Sequence, residues 1–236
     1  MLQTFLKRRE TAVIALDNDL NRALDSILHK AEIVKTSTSK RLFDVFFTSL
    51  LFVFVFSWLF PIIILLIKLS SKGPVFFKQE RIGLNGQVFK CYKFRSMYTN
   101  VRNDVFMPAL KDDCRFTKIG KFLRKTNLDE LPQAINVLLG DMSLVGPRPH
   151  PIPFHNEYAT YIDNIDLRHL VKPGITGLAQ INGYRGDVLD REENKKRTAK
   201  RIAYDLEYIQ NWSFGLDIKI IATTVAQMIG NKTNGH

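Results

Sequence analysis

The chain is short of several things that would settle its class at once. It has two cysteines in 236 residues, Cys91 and Cys114, and no CxxC pair. That argues against a disulfide framework or a zinc site and fits a reducing compartment. There is no GxGxxG, no Walker A loop, no nucleophile-elbow serine, no C2H2 finger and no aromatic-basic RNA signature. Internal repeats, low-complexity tracts and a cleavage-type signal peptide are also missing. Acidic residues are scarce beside basic ones, 23 against 34, leaving a net charge of +11 and a pI near 9.7. Such a surplus points to an anionic partner: nucleic acid, an anionic membrane surface or a phosphorylated substrate. Charge alone does not choose among them.

What the chain does have is apolar length. Val45 to Ile67 is a run of 23 residues without a charge. As a helix it would measure about 34 Å, enough for a hydrocarbon core of about 30 Å. Pro61 falls inside the run and favours a kink. Lys35, Lys40 and Arg41 precede it, and Lys68, Lys72, Lys78 and Arg81 follow, so positive flanks give no orientation. A helix that enters, breaks at Pro61 and returns to the cytoplasmic face satisfies both flanks, while a kinked span stays equally open from the sequence.

Residues 1–39 are polar and helix-prone, with Val13, Leu16, Leu20, Ala23, Ile27 and Val34 at near-heptad spacing. The pattern fits an amphipathic helix covering the body, or a short dimerisation helix. After Lys68 the composition is that of an α/β body. Two short strands flank Leu84-Asn85-Gly86, where Asn-Gly supplies positive φ. Helices are expected over 117–125, 129–139, 191–211 and 215–229, the last with an apolar side suited to a membrane or to the body. "GPRPHPIP" reads as a rigid extended loop and "KPGITGLAQING" as a turn-rich one.

Chemistry concentrates around "RKTNLDELPQ". Asp129 and Glu130 are adjacent, so on a helix they point about 100° apart and do not share a proton as a facing pair would. Taken alone they make an ordinary helix start, placing carboxylates on free N–H groups. Lys121, Arg124 and Lys125 before them and Arg148 in the proline-stiffened loop change that reading. A carboxylate among cations stays ionised and can hold Mg²⁺ or act as a nucleophile. Arginine on a stiff loop suits bidentate phosphate recognition, and Lys93 and Arg95 of "YKFRSM" could add contacts. His150 and His155 lack a third ligand in the sequence, which disfavours a metal there.

The segments "KRLFD", "GPVFFKQERIG", "YKFRSM", "TNLDELPQAINVLLGDMSLVGPRPHP", "VKPGITGLAQINGYRG" and "DLEYIQNWSFGLDIKII" run in order from Lys40 to Thr224. In them the chain resembles the bacterial sugar transferases, the monotopic polyprenyl-phosphate phosphoglycosyl transferases of exopolysaccharide and O-antigen assembly. The resemblance implies a small, mainly helical α/β catalytic domain with an N-terminal re-entrant membrane helix and amphipathic interfacial helices. The expected division is a leader over 1–39, the membrane helix over 40–68, the catalytic domain over 69–230 and a tail over 231–236. The resemblance also implies an enzyme that attacks a UDP-sugar through Asp129, expels UMP and passes the sugar phosphate to undecaprenyl phosphate. Glu130, with Asp129, looks like the Mg²⁺ site. Arg124, Arg148 and Asp205 match charged active-site positions, and Lys93 matches less closely. "VGPRPHP" and "GITGLAQINGYRG" lean towards glucose 1-phosphate, with galactose 1-phosphate or an N-acetylated sugar phosphate as alternatives. The expected setting is the cytoplasmic face of a bacterial inner membrane, with membrane lipid and downstream glycosyltransferases as partners, a homodimer left open and nucleic acid excluded. The rival of a different class is a non-catalytic, membrane-anchored basic protein that binds anionic lipid or nucleic acid.

Overall fold

A computed structural model describes residues 21–99 and 113–230. The leader positions Val13, Leu16 and Leu20 and the tail over 231–236 lie outside the described residues. Helix α1 covers 21–36 and lays Ile27, Ala31 and Val34 against a core of Val145, Val171, Tyr208, Ile209 and Ile220. Those three buried positions recur at helical spacing, while Lys30 stays in solvent.

The apolar run forms a continuous helix, Thr38–Ser70, long and apolar enough to cross a membrane by length and composition. It comprises α2 (Thr38–Leu51), a π-helical turn at Phe52–Phe56 and α3 (Ser57–Ser70). Helical structure continues through Pro61, so the irregular turn lies just ahead of the proline rather than at it. A wider turn there relieves the clash between the proline ring and the preceding carbonyls. Carbonyls in the irregular turn receive side-chain donors: Ser57 Oγ donates to Val53 O at 2.7 Å and Trp58 Nε1 to Phe54 O at 2.9 Å. The Phe52 and Phe60 ring centroids are 5.9 Å apart, with Phe56 against both at 5.1 and 4.6 Å. On a straight helix those two residues sit about 12 Å apart along the axis, so the rings converge on one side of the π turn.

Both ends of this helix are fastened to the same body. At the start, Lys40 Nζ reaches Asp217 Oδ2 (2.6 Å), Val145 O and Tyr208 Oη, and Arg41 donates to the Val137 and Leu138 carbonyls. At the end, Phe60, Ile63 and Ile67 pack with Phe94, Leu123 and Ala134. Between the ends, Phe46, Val53, Phe54, Trp58 and Leu65 face outwards.

The body is mainly helical with two small sheets. Strands β1 (Phe76–Ile82) and β2 (Val88–Phe94) pair antiparallel, with Phe76 opposite Phe94 and Ile82 opposite Val88. Asn85 and Gly86 both adopt positive φ at the turn, 54° and 74°, as the Asn-Gly pair predicts. Helix α4 (Lys118–Lys125) ends before Asn127, which is left-handed at φ 59°. Asp129 and Glu130 therefore lie in a 3₁₀ turn, Leu128–Glu130, and α5 begins only at Gln133–Leu139. The expected single helix over 129–139 is divided because Asn127 reverses the chain and Pro132 restarts it.

Strands β3 (Ser143–Val145) and β4 (Gly174–Thr176) pair in parallel, so the expected turn-rich loop holds a strand and a short helix, α7 (Leu178–Ile181). A Cβ at Gly174 would lie 2.1 Å from the Gly146 nitrogen, so only glycine allows this approach. The loop after Gly146 is extended through Pro151, where α6 (Ile152–Tyr158) begins. Helices α8 (Arg191–Gln210) and α9 (Phe214–Ile229) complete the body.

Candidate active site

Four successive carbonyls of the proline loop each receive a donor. Gly174 N donates to Pro147 O (2.9 Å), Arg168 Nη2 to Arg148 O (2.6 Å), Arg81 Nη1 to Pro149 O (2.6 Å) and Ile82 N to His150 O (3.2 Å). Prolines restrict this backbone and the donors fix what freedom remains. Arg148 is thus presented by a frame that does not give way.

Arg148 faces a cavity of about 600 Å³ lined also by Lys93, Arg124, Asp129, Glu130 and Arg185. Glu130 is its most constrained member. Oε1 accepts from Lys93 Nζ (2.7 Å) and Arg148 Nη2 (2.6 Å), and Oε2 from Arg148 Nη1 (3.0 Å) and Arg185 Nη2 (2.7 Å). A carboxylate offers about four lone pairs, and here four donors occupy them. Burial alone would raise the Glu130 pKa, but Arg148, Lys93 and Arg185 outweigh it and hold the group well below the ordinary range. Arg148 is held more firmly protonated in return, because Glu130 outweighs its burial.

Asp129, one residue earlier, is in the opposite condition. It is buried, and among the described residues its carboxylate has no hydrogen-bond partner. Burial, then the neighbouring Glu130 charge, push its pKa above the ordinary value of 3.8, against the pull of Lys93, Arg124 and Arg185. Arg124 stacks 4.8 Å over the Phe116 ring, which leaves its guanidinium edge towards polar partners. Four cations and two carboxylates line this part of the cavity, a surplus suited to a diphosphate.

The other expected residues sit differently. Arg95 lines the cavity, but its guanidinium donates to Ser71 O, Ser71 Oγ and Lys72 O, closing the end of the long apolar helix. Asp205 does not line it. It pairs with Nε and Nη2 of buried Arg168, and the same Nη2 donates to the Arg148 carbonyl, so it stands one layer behind the site. Arg185 is the member that the residue pattern alone does not single out. It belongs to "INGYRG", a loop without periodicity, and the family resemblance of the segment "VKPGITGLAQINGYRG" is the available signal. His155 does find neighbours, 3.2 Å from Asp166 and 3.4 Å from His169, but this group lies apart from the cavity lining.

Asp129 and Glu130 fit a magnesium ion conditionally. Asp129 is an open oxygen donor, whereas Glu130 gains a free lone pair only if an arriving anion draws an arginine or Lys93 away. Mg²⁺ favours one or two carboxylates together with substrate phosphates, so the donor set suits the ion in the company of a diphosphate.

A family model described as "Bacterial sugar transferase" matches residues 35–231. A UDP-glucose:undecaprenyl-phosphate glucose-1-phosphate transferase of Klebsiella pneumoniae is 49% identical over 194 residues, 82% of this chain and 41% of that protein. The protein of the same name from Escherichia coli K12 is 51% identical over 170 residues, 72% of this chain and 36% of its own. A UDP-N-acetylgalactosamine-undecaprenyl-phosphate N-acetylgalactosaminephosphotransferase of Aeromonas hydrophila is 43% identical over 165 residues, 70% of this chain and 37% of that protein. The chain therefore spans well under half the length of each of these three relatives.

Proposed function

The chain belongs to the bacterial sugar transferase family, and on that premise we propose that it moves a hexose 1-phosphate, glucose 1-phosphate first among the candidates, from a UDP-sugar to undecaprenyl phosphate. The observation that carries the reading is the pairing of a buried Asp129, without a hydrogen-bond partner among the described residues, with a Glu130 saturated by cations. In the first step an Asp129 oxygen attacks the β-phosphorus. The bond from that phosphorus to the oxygen of the α-phosphate breaks, UMP leaves with the electron pair, and an aspartyl phosphosugar remains. In the second step a phosphate oxygen of the lipid attacks the same phosphorus. The Asp129 bond breaks, its carboxylate is restored and a polyprenyl-diphosphate sugar forms.

A carboxylate meets repulsion from an anionic diphosphate unless cations cancel it. Arg148, Arg185, Lys93 and Arg124 line the cavity for that task. Glu130 keeps three of them gathered before substrate arrives, and Asp205, through Arg168, steadies the Arg148 backbone. Asp129 and Glu130 are the residues that would hold magnesium, which would supply further charge neutralisation.

The lipid phosphate lies at a membrane interface, so the cavity must be held at that depth. The helix over Thr38–Ser70 is proposed to enter and return to the cytoplasmic face of the inner membrane, bending at the π turn and Pro61. Its two ends, bonded to one body, support that reading. Exposed Phe122 on α4 and Phe214, Ile218, Val225 and Met228 on α9 are the apolar groups offered to the interface.

Purified chain given undecaprenyl phosphate, Mg²⁺ and a panel of UDP-sugars should release UMP with at least one donor. No UMP with any of them sinks the proposal. Single cysteines at residues 36 and 72 should both label from the cytoplasmic side, and labelling from opposite sides rules out the returning helix.

A further inference from the structure

Away from the cavity lining, the fold gives His155 the ligand company that its own stretch of chain lacks. His155 lies in α6, and Asp166 and His169 lie in the 3₁₀ turn Ile165–Leu170. A 3₁₀ helix has three residues per turn, so side chains three apart stand one above the other. Asp166 and His169 have that spacing, and α6 brings His155 against both. His155 Nε2 is 3.2 Å from Asp166 Oδ1, and His155 Nδ1 is 3.4 Å from His169 Nε2. The two rings meet with centroids 5.0 Å apart at 61°. One donor atom from each of the three residues falls within 4.8 Å of the others.

Two imidazoles and a carboxylate are a set that zinc takes, with water as the fourth ligand. Zinc–nitrogen bonds of about 2.0–2.1 Å place tetrahedral ligands about 3.3 Å apart, so the three donors have at most about 1.5 Å to close. Turning the His155 ring, so that one nitrogen serves the ion, and drawing Asp166 inwards closes that gap. The Asp166 side chain is 82% exposed and free to swing, while buried His169 forms the inner wall. Zinc binds the neutral imidazole. Burial, then Arg168 and His155, push His169 down to about 3, and burial lowers His155 against the pull of Asp166. The charge of Arg168 is offset by Asp205 at 2.7 Å. Nitrogen donors separate this set from the all-oxygen pair Asp129 and Glu130, which suits magnesium.

The three residues also adjoin the frame of the cavity. Helix α6 starts directly after the proline loop, and Arg168, inside the 3₁₀ turn, donates to the Arg148 carbonyl at 2.6 Å. An ion shared by α6 and the turn joins the loop that presents Arg148 to the element that supports it. We propose that His155, Asp166 and His169 bind one divalent ion of the zinc type, which clamps α6 to the turn carrying Arg168.

The test uses the full chain, purified without a histidine tag, stripped with chelator and kept in excess Mg²⁺. Calorimetric titration with zinc should show one equivalent bound. At about 100 μM zinc, roughly a hundred times a micromolar dissociation constant, the melting temperature should rise by about 5–10 °C. Losing even a partner of a metal ligand costs about 10- to 100-fold in affinity, so Asp166→Ala, His155→Phe and His169→Phe should each weaken zinc at least tenfold. Asp166 is exposed, so Asp166→Ala carries the comparison if a histidine variant melts early. Cobalt in place of zinc should give the visible bands of tetrahedral nitrogen and oxygen ligation, lost in Asp166→Ala. With zinc, hydrogen exchange should slow over 152–158 and 165–170 in the wild type and not in Asp166→Ala. No zinc binding, binding that any folded variant weakens less than tenfold, or unchanged exchange in both segments overturns the proposal. A sulfur-to-cobalt band in the near ultraviolet also overturns it, placing the ion on exposed Cys114.

Discussion

Two buried charge clusters in this molecule look alike on a contact map and differ in what they leave over. At the base of the long apolar helix, Lys40 gives its three N–H bonds to Val145 O, Tyr208 Oη and Asp217 Oδ2. Asp217 accepts in turn from Tyr208 Oη (2.8 Å) and Trp212 Nε1 (3.2 Å), and the set is closed. Around Glu130 the cations are as tightly held, but among the described residues Asp129 beside it has no hydrogen-bond partner, and His150 and Asn127 keep buried nitrogens unbonded. The closed cluster fastens one element to another. Unused hydrogen-bonding capacity, in a cavity, is what marks the other as a place for a ligand.

The contrast breaks most sharply at the two centres. Asp129→Asn should cut UMP release about 10⁴-fold or more, as loss of a nucleophile does, while the melting temperature holds or rises. Lys40→Met should do the reverse. It strands Asp217 in the interior, at about 3–5 kcal/mol of stability by chemical denaturation, and leaves the turnover of folded protein intact. A stable Lys40→Met chain, or an unstable Asp129→Asn chain, would erase the distinction.

Arg185→Gln comes next. It removes one charge-assisted bond to Glu130 and one cation from the cavity, and should raise the KM for the UDP-sugar about 10- to 100-fold. Unchanged KM would make Arg185 a support of Glu130 alone.

The adjacent carboxylates also predict opposite pH behaviour. The fold raises the Asp129 pKa, so its contribution to stability is present at acid pH and lost as pH rises through the folded value. The fold lowers the Glu130 pKa, so its contribution is present above 4.5 and lost as pH falls through the folded value. Melting curves of wild type and Asp129→Asn should therefore separate as pH rises, the variant becoming the more stable. The smallest effect is expected at Arg95: Arg95→Met should lower stability by about 1 kcal/mol through the freed Ser71 and Lys72 carbonyls, with KM unchanged.

Much of the site is legible in the chain because the relevant residues lie in short, rigid motifs. Arg148 stands between prolines that limit where it can point, Asp129 and Glu130 lie just ahead of Pro132, and Lys93 follows from a strand whose register the five-residue turn Gly83–Gln87 sets. Arg185 was not legible from the residues because nothing local to its loop requires it to reach Glu130. Arg95 resembles a phosphate ligand in sequence, and only tertiary structure brings it to the end of the long apolar helix. The π turn is hidden for a related reason: "FVFVF" carries no breaker, whereas Pro61, which does, is accommodated within the helix. The glycines of "KPGITG" read as turns locally, yet they allow β4 to approach Gly146 closely.

The central claim is that Asp129 becomes covalently bonded to the sugar phosphate. Wild-type chain incubated with UDP-glucose and Mg²⁺, without lipid, should yield UMP and a peptide carrying a hexose phosphate on Asp129 by mass spectrometry, absent from Asp129→Asn. UMP that forms only when undecaprenyl phosphate is present, with no adduct on any peptide, would contradict it and require direct transfer from nucleotide to lipid.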